Sequence, residues 1–369
     1  MRKGWEYKRL DECANIEYGT RVVQKKDSGT LYPVYGGGGE TFRMDKFNRE
    51  DCLIVARFAM SRRCVRFVNG KFFLNDSGLS VKAGDKLYQS YLNYNIISLN
   101  DDIYHLGKGA AQRNLDVKSF KKLTIAIPPQ STQLAIVCEL DKINELIRLK
   151  KEQLKDFDNL AQSLFYEMFG DPVENEKGWE VSSVENVCSS IVRGPFGSAL
   201  KKEFFVEPNS NTYKVYEQKH AIQKDAKIGS YYVTEEKFKE LSRFEVKSGD
   251  IIMSCSGTIG ELFIIPPNAE KGLMNQALLK FTLNNQIYKR FFLFLMDCVK
   301  KDFTVRGTGL QNIGSVKIIK AMTFGLPPLS LQRLFAQRIE QIEREKSEVQ
   351  KSIQDLETLL ASRMQYWFE

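Results

Sequence analysis

Two stretches of the chain carry an apolar stripe that is unusually long and regular. After Pro128-Pro129 the stripe runs Ile136, Leu140, Ile143, Ile147, Lys150, Leu154, Phe157, Ala161, Leu164 and Met168, in steps that alternate four and three. After Pro327-Pro328 the same steps give Phe335, Ile339, Ile342, Lys346, Val349, Ile353, Leu356, Leu360, Arg363 and Trp367. This is the a/d heptad of a coiled coil, with Lys150 and Lys346 in the same slot. A double proline cannot continue a helix backwards and so marks each start, and Gly170-Asp171-Pro172 ends the first helix. At ~1.5 Å per residue, about 40 residues make a rod of roughly 60 Å. Each seam needs a partner, and the matched register points to the other helix. The expected seam is Ile136, Leu140, Ile143, Ile147, Leu154, Phe157 and Leu164 against Phe335, Ile339, Ile342, Val349, Ile353, Leu356 and Leu360. Paired antiparallel, the helices are expected to form a rigid spacer with a globular part at each end.

Between the helices the pattern changes. Short apolar runs at 52–56, 65–68, 96–99, 123–127, 251–254, 262–265 and 278–283 are flanked by Gly, Asn, Asp or Pro and read as strands, whereas 88–94 and 286–300 read as helices. The chain also repeats itself. Gly4-Trp5-Glu6 recurs as Gly178-Trp179-Glu180. Asp51-Cys52-Leu53-Ile54-Val55 is echoed by Asp250-Ile251-Ile252-Met253-Ser254, and Phe73-Leu74-Asn75-Asp76 by Leu273-Met274-Asn275-Gln276. Gly107-Lys108-Gly109 returns as Gly307-Thr308-Gly309, and Ile127-Pro128-Pro129 with Gln133 as Leu326-Pro327-Pro328 with Gln332. The offset begins at 174 and settles near 200, which places an insertion in the second copy between Arg193 and Lys247. Two large units are therefore expected, not a solenoid of short ones. The fold class is α+β: two globular domains, 1–127 and 173–326, separated by two long antiparallel coiled-coil helices, 128–172 and 327–369, in a pseudo-two-fold repeat.

Charge follows the same division. The chain of 369 residues has a formal net charge of +8, but segments 1–127 and 173–326 carry +8 and +4, while 128–172 and 327–369 carry −3 and −1. Basic modules joined by acidic connectors suggest two domains that face a polyanion. The seven cysteines are scattered and form no CxxC pair, and His105 and His220 are the only histidines, which argues against a structural zinc site or a disulfide framework. No apolar stretch approaches the length of a membrane span and no signal core opens the chain, so a cytoplasmic protein with no membrane partner is expected.

Catalytic motifs are missing. The three double prolines, Ile127-Pro128-Pro129-Gln130, Ile265-Pro266-Pro267-Asn268 and Leu326-Pro327-Pro328-Leu329, lack the polar and aromatic flanks of an amino-methyltransferase loop. The tetraglycine 36–39 is not followed by Gly-Lys-Ser/Thr, and reads as a tight turn that allows close backbone approach rather than a P-loop. Asp250 reads as a turn residue, because no Glu-x-Lys follows it. No catalytic residue and no metal ligand is assigned.

Candidate nucleic-acid contacts are basic or amide side chains in loops. In the first domain they are Arg57, Arg62 and Arg63, with Arg66 close by, and Lys108, Gln112 and Arg113. In the second they are Arg193, Lys201, Lys202, Lys219, Ser256, Thr258, Arg306, Thr308, Gln311 and Asn312, with Lys214 and a solvated or phosphate-facing His220 beside them. Arginine, Gln and Asn match base edges, whereas Lys and Thr hold phosphate and set register. Two other readings stay open: an interaction scaffold without DNA specificity, and a standalone enzyme.

The order globular domain, PPxxxQ helix, globular domain, PPxxxQ helix resembles the specificity subunits of type I restriction-modification systems, over essentially the whole chain. The residues that carry the resemblance are Gly4-Trp5-Glu6 with Leu10, the run 32–39, Gly249-Asp250-Ile251-Ile252 leading to Gly257-Thr258-Ile259-Gly260, the run 309–313, and the two PPxxxQ segments. The first copy departs from the pattern, with Arg57-Phe58-Ala59-Met60-Ser61 where the second has Ser256-Gly257-Thr258-Ile259-Gly260. The resemblance implies two target-recognition domains, each reading half of a split asymmetric site in double-stranded DNA. It implies two modification (methyltransferase) subunits as partners, together with restriction (endonuclease/translocase) subunits. It also implies that S-adenosylmethionine, ATP and magnesium belong to those partners, with no cofactor in this chain.

Overall fold

The computed structural model describes residues 2–109, 112–300 and 316–369. They form two compact units, one of Met1–Glu152 with Val349–Glu369 and the other of Gln153–Glu348. The long helices are Gln130–Phe169 and Leu329–Phe368, so each contributes to both units.

In the first unit one six-stranded sheet runs Ala14–Tyr18, Gly78–Ala83, Arg49–Ala56, Val65–Leu74, Tyr32–Gly36, Gly39–Met44. Only Tyr32–Gly36 and Val65–Leu74 are parallel neighbours. Side chains alternate across the sheet with a period of two. Leu53 and Val55 thus join a core with Leu79, the helix residues Tyr91 and Ile96, and Ile136 and Leu140 of the first long helix, while Ile54 turns to a smaller cluster with Val68 and Phe72.

In the second unit two four-stranded sheets stand in place of that one sheet. One runs Cys188–Arg193, Leu278–Leu283, Ile251–Ser254, Leu262–Ile264, and the other Tyr232–Thr234, Thr212–Tyr216, Gly272–Met274, Glu245–Val246. The second of these takes most of its strands from the insertion after Arg193. Ile251 and Met253 enter the main core and Ile252 the smaller one.

This burial pattern corrects the repeat by one residue. Leu53, Ile54, Val55 and Ala56 correspond to Ile251, Ile252, Met253 and Ser254, because Ala56 pairs with Gly78 as Ser254 pairs with Leu278. The sequence match of Asp51 to Asp250 slips because Asp51 sits at φ 44° beside a bulge between Glu50 and Cys52. An extra residue in a bulge shifts everything before it by one place.

Two further devices recur. The strand after Gly-Trp pairs antiparallel with the strand before Pro-Pro in each unit, Glu6–Arg9 with Thr124–Ile127 and Glu180–Ser183 with Thr323–Leu326. That pairing is why the two motifs repeat together. The motif glutamines are buried clamps. Gln133 Oε1 accepts from Tyr88 N at 2.9 Å and its Nε2 donates to the Lys86 and Pro128 carbonyls, both at 2.9 Å. Gln332 repeats this with Tyr288 N at 2.9 Å and the carbonyls of Gln286 and Pro327 at 3.2 and 2.8 Å.

The helices run antiparallel within each unit. In the first, Glu139 meets Arg363 and Trp367, with Trp367 Nε1 donating at 3.0 Å, while Lys151 meets Glu357 at 2.8 Å. In the second, Asp158 pairs with Lys346, and Phe165 and Phe169 pack on Phe335 with ring centroids 5.6 and 5.4 Å away. Ile136, Leu140, Ile143, Ile147, Phe335, Ile339, Val349 and Ile353 are buried, and Leu154, Phe157, Leu164, Ile342, Leu356 and Leu360 are half-buried. The architecture is α+β, with two repeated globular parts and two long helices.

Candidate nucleic-acid interface

In the first unit a set of loops gathers at the end of strand Arg49–Ala56. The Arg57 guanidinium lies 4.4 Å from the Phe58 ring and 5.1 Å from Tyr18, and its Nη1 donates to the Asp76 carbonyl at 3.2 Å. Arg62 and Arg113 both sit over Tyr104, at 5.1 and 4.8 Å, and Arg113 Nη1 also donates to the Tyr104 carbonyl. The backbone bond from Met60 N to Arg113 O, 3.0 Å, fastens the two loops together. Arg57, Arg62 and Arg113 are therefore gathered by sheet ends and an aromatic platform, with cation–π contact holding planar guanidinium groups in place.

Lys108 is exposed and ion-paired. Its ammonium lies 2.6 Å from Asp116, the cap of the short helix that follows. Lys108 and the Ser119 amide together hold the Asp116 carboxyl down at about 2. Gln112 is exposed.

The hairpin tip over the tetraglycine meets this assembly. A Cβ on Gly37 would lie 2.2 Å from the Phe58 carbonyl oxygen, so only glycine allows that approach. Arg66 Nη2 donates to Gly37 O at 3.3 Å and to Arg63 O at 2.8 Å.

In the second unit Arg193 lies 5.0 Å from the Phe196 ring and its Nε donates to Gln276 O at 3.3 Å. Gln276 and Asp76 follow Asn275 and Asn75, which make the same turn: Leu278 N and Gly78 N each bond back to the asparagine carbonyl at 3.1 Å. Arg57 and Arg193 thus serve equivalent carbonyls from different strands. Arg193 occupies the place of Tyr18, since Gly194 and Gly19 each bring a backbone within 1.9 Å, measured from a built Cβ, of the oxygen of Asn275 or Asn75. No linear motif carries this correspondence, and the sequence did not reveal it.

Lys201 and Lys202 are exposed, Lys201 lying 3.6 Å from Glu203. Lys219 pairs with Glu217 at 2.6 Å. Ser256 is half-buried and Thr258 exposed in a turn that needs Gly257 and Gly260, at φ 69° and 84°. Arg306, Thr308, Gln311 and Asn312 lie outside the described residues. Asp250 accepts from Lys247 N at 3.0 Å, which makes it a turn residue.

Two expectations fail. His220 is buried, not solvated: its Nδ1 accepts from Glu217 N at 2.9 Å and its Nε2 donates to Ile228 O at 2.7 Å. Burial pushes its pKa below the usual value. Lys214 is also buried, with its ammonium 3.1 Å from Lys227 O and 3.4 Å from Glu270, and it faces no solvent for a phosphate to occupy. Lys214 lies on the inserted strand Thr212–Tyr216 and His220 in the short helix Gln218–Gln223 that follows it, inside an insertion whose interior the charged sequence had disguised.

A family model described as the type I restriction modification DNA specificity domain matches residues 2–156 and again 176–358. The chain belongs to this family. A type I restriction enzyme specificity subunit named in Haemophilus influenzae is 23% identical over 363 residues, covering 92% of this chain and 87% of that protein. The S subunit from M. genitalium superimposes with a TM-score of 0.55 at 17% identity, over 98% of this chain and 95% of that one. A chain solved in work on complex assembly and conformational transition of the type I R-M system gives 0.64 at 16% identity, over 100% and 98%. The specificity-family model therefore falls once on each copy of the repeat. Among the described residues no group of His, Cys, Asp and Glu could hold a metal ion, and no helix is long and apolar enough to cross a membrane.

Proposed function

We propose that this chain is the DNA-reading subunit of a type I restriction-modification complex and that each unit reads one half of a bipartite, asymmetric duplex target. The observation that carries the reading is the twofold match of the specificity-domain model to a chain that folds as two equivalent units. The surplus of positive charge in 1–127 and 173–326 supports it, as do the arginines held on aromatic rings beside equivalent turns. Arg57, Arg62, Gln112, Arg113 and Arg193 are the proposed base readers, and Lys201, Lys202 and Thr258 the proposed phosphate contacts. The partners are two modification subunits and restriction subunits, which supply S-adenosylmethionine, ATP and magnesium, and this chain contributes recognition without catalysis.

The test uses the chain purified with its modification partner. Duplex retention should fall steeply as salt rises, by ~10³-fold or more between 50 and 200 mM if about six phosphates are neutralised. Methyl transfer to DNA should require the partner. Salt-insensitive retention, or tritium incorporation by this chain alone, would overturn the reading.

A further inference from the structure

Beside the tetraglycine turn lies a cleft of about 590 Å³ lined by Tyr35, Gly38, Arg63, Arg66, Phe67 and Asn69. Its floor carries charge without a counter-charge. Neither Arg63 nor Arg66 has a carboxylate within 4.0 Å among the described residues, and the acidic residue that follows the turn, Glu40, is held by Arg43 at 3.5 Å. Arg66 is positioned in advance. Its Nη2 hydrogens go to the Gly37 and Arg63 carbonyls, which leaves Nε and Nη1 without a partner among the described residues. Gly39, at φ 120°, lets the turn close on the guanidinium, since a Cβ there would lie 3.0 Å from Arg66 Nη1. A half-buried guanidinium with fixed orientation and three unspent N–H donors matches a tetrahedral oxyanion, because the ordering cost has been met before binding. Phe67 is an exposed aromatic on the cleft wall.

We propose that this cleft is a phosphate-binding site in which Arg63 and Arg66 seat one backbone phosphate of the bound duplex. The proposal rests on the DNA-reading function above and adds a role for the glycine-rich hairpin tip: it holds Arg66 and leaves the cleft mouth open. It separates Arg63 from the base-reading arginines, since a phosphate contact sets register without regard to sequence.

Gly38 provides a test that leaves the packing intact, because a Cβ there meets nothing within 4 Å and its φ lies outside the left-handed region. With the complex of this chain and its modification partner, anisotropy on a target duplex and a scrambled duplex is measured across a salt series. Arg63→Gln and Gly38→Asp should weaken both duplexes by the same factor, about 3- to 10-fold, and each should lower the slope of log K against log salt by about one. Gly38→Lys should tighten both. Circular dichroism and melting temperature should match the parent, which excludes a folding effect. Unchanged slopes, or a loss confined to the target duplex, would overturn the proposal. If the parent complex itself shows no salt-dependent duplex binding, the DNA reading fails and the cleft is judged alone with inorganic pyrophosphate. A rise in melting temperature in the parent that is absent in Gly38→Asp would then support a phosphate site, and no rise in either would end it.

Discussion

At the scale of single residues, buried polar groups with complete partners explain what the sequence could only mark as recurring. Gln133 and Gln332 repeat because each satisfies one amide and two carbonyls where a helix leaves a double proline. Removing such a side chain strands several buried groups at ~1–3 kcal/mol each. Gln133→Ala should therefore lower stability by about 3 kcal/mol or more, read from its urea midpoint, whereas exposed Gln112→Ala should change it by less than ~0.5 kcal/mol. His220 gives a pH dependence. Its Nδ1 must accept from Glu217 N, so the folded state keeps it neutral, and burial holds its pKa below 6.5. The unfolded chain then binds the extra proton first. Stability is full above about 6.5 and falls as pH drops below that value. The urea midpoint should fall more between pH 7.5 and 5.5 in the parent than in His220→Gln, and an equal fall in both would dismiss the imidazole as the cause.

At the scale of elements, periodicity identified the long helices but not how wide a face each buries at its end. Phe165 and Phe169 lie off the heptad, yet they are almost fully buried against Phe291 and Phe335. Met364 and Phe368 do the corresponding work against the first core, where Phe368 lies 5.6 Å from Tyr91. A helix end that meets a second helix and a globular core together needs more than one apolar stripe. Phe165→Ala should cost about 3–5 kcal/mol, and Leu160→Ala, on an exposed face of the same helix, less than ~0.5 kcal/mol. Urea unfolding of the two variants checks the contrast. The one-residue slip in the repeat has a similar origin, since the bulge at Asp51 is a backbone event that leaves no trace in an ungapped match.

At the scale of the whole molecule, the compact units cut across chain order. The first needs 349–369 and the second needs the helix segment from 153 onwards. A chain broken between 172 and 173 therefore yields two pieces, neither of which holds a complete unit. Co-expressed, the pieces should purify together through a tag on either one; expressed singly, each should aggregate. Independent soluble folding of both pieces would contradict the division. The same organisation explains how the charge could be read before the fold. Basic surplus belongs to the globular parts and acidic surplus to the helices, and sequence order alone separates those segments.

Duplication, the helical stripes, the segregation of charge and most of the strand runs were settled by local order, because each depends on residue type at a fixed spacing along the chain; the run 96–99, expected as a strand, instead ends the helix Gln89–Ser98. Folding alone settled which arginine reaches which carbonyl, that His220 and Lys214 are interior, and that Phe165 and Phe169 close a core. Those outcomes turn on atoms far apart in sequence. Burial and hydrogen bonding act through space, and a charged stretch gives no local sign of which of its side chains the surrounding sheet will enclose.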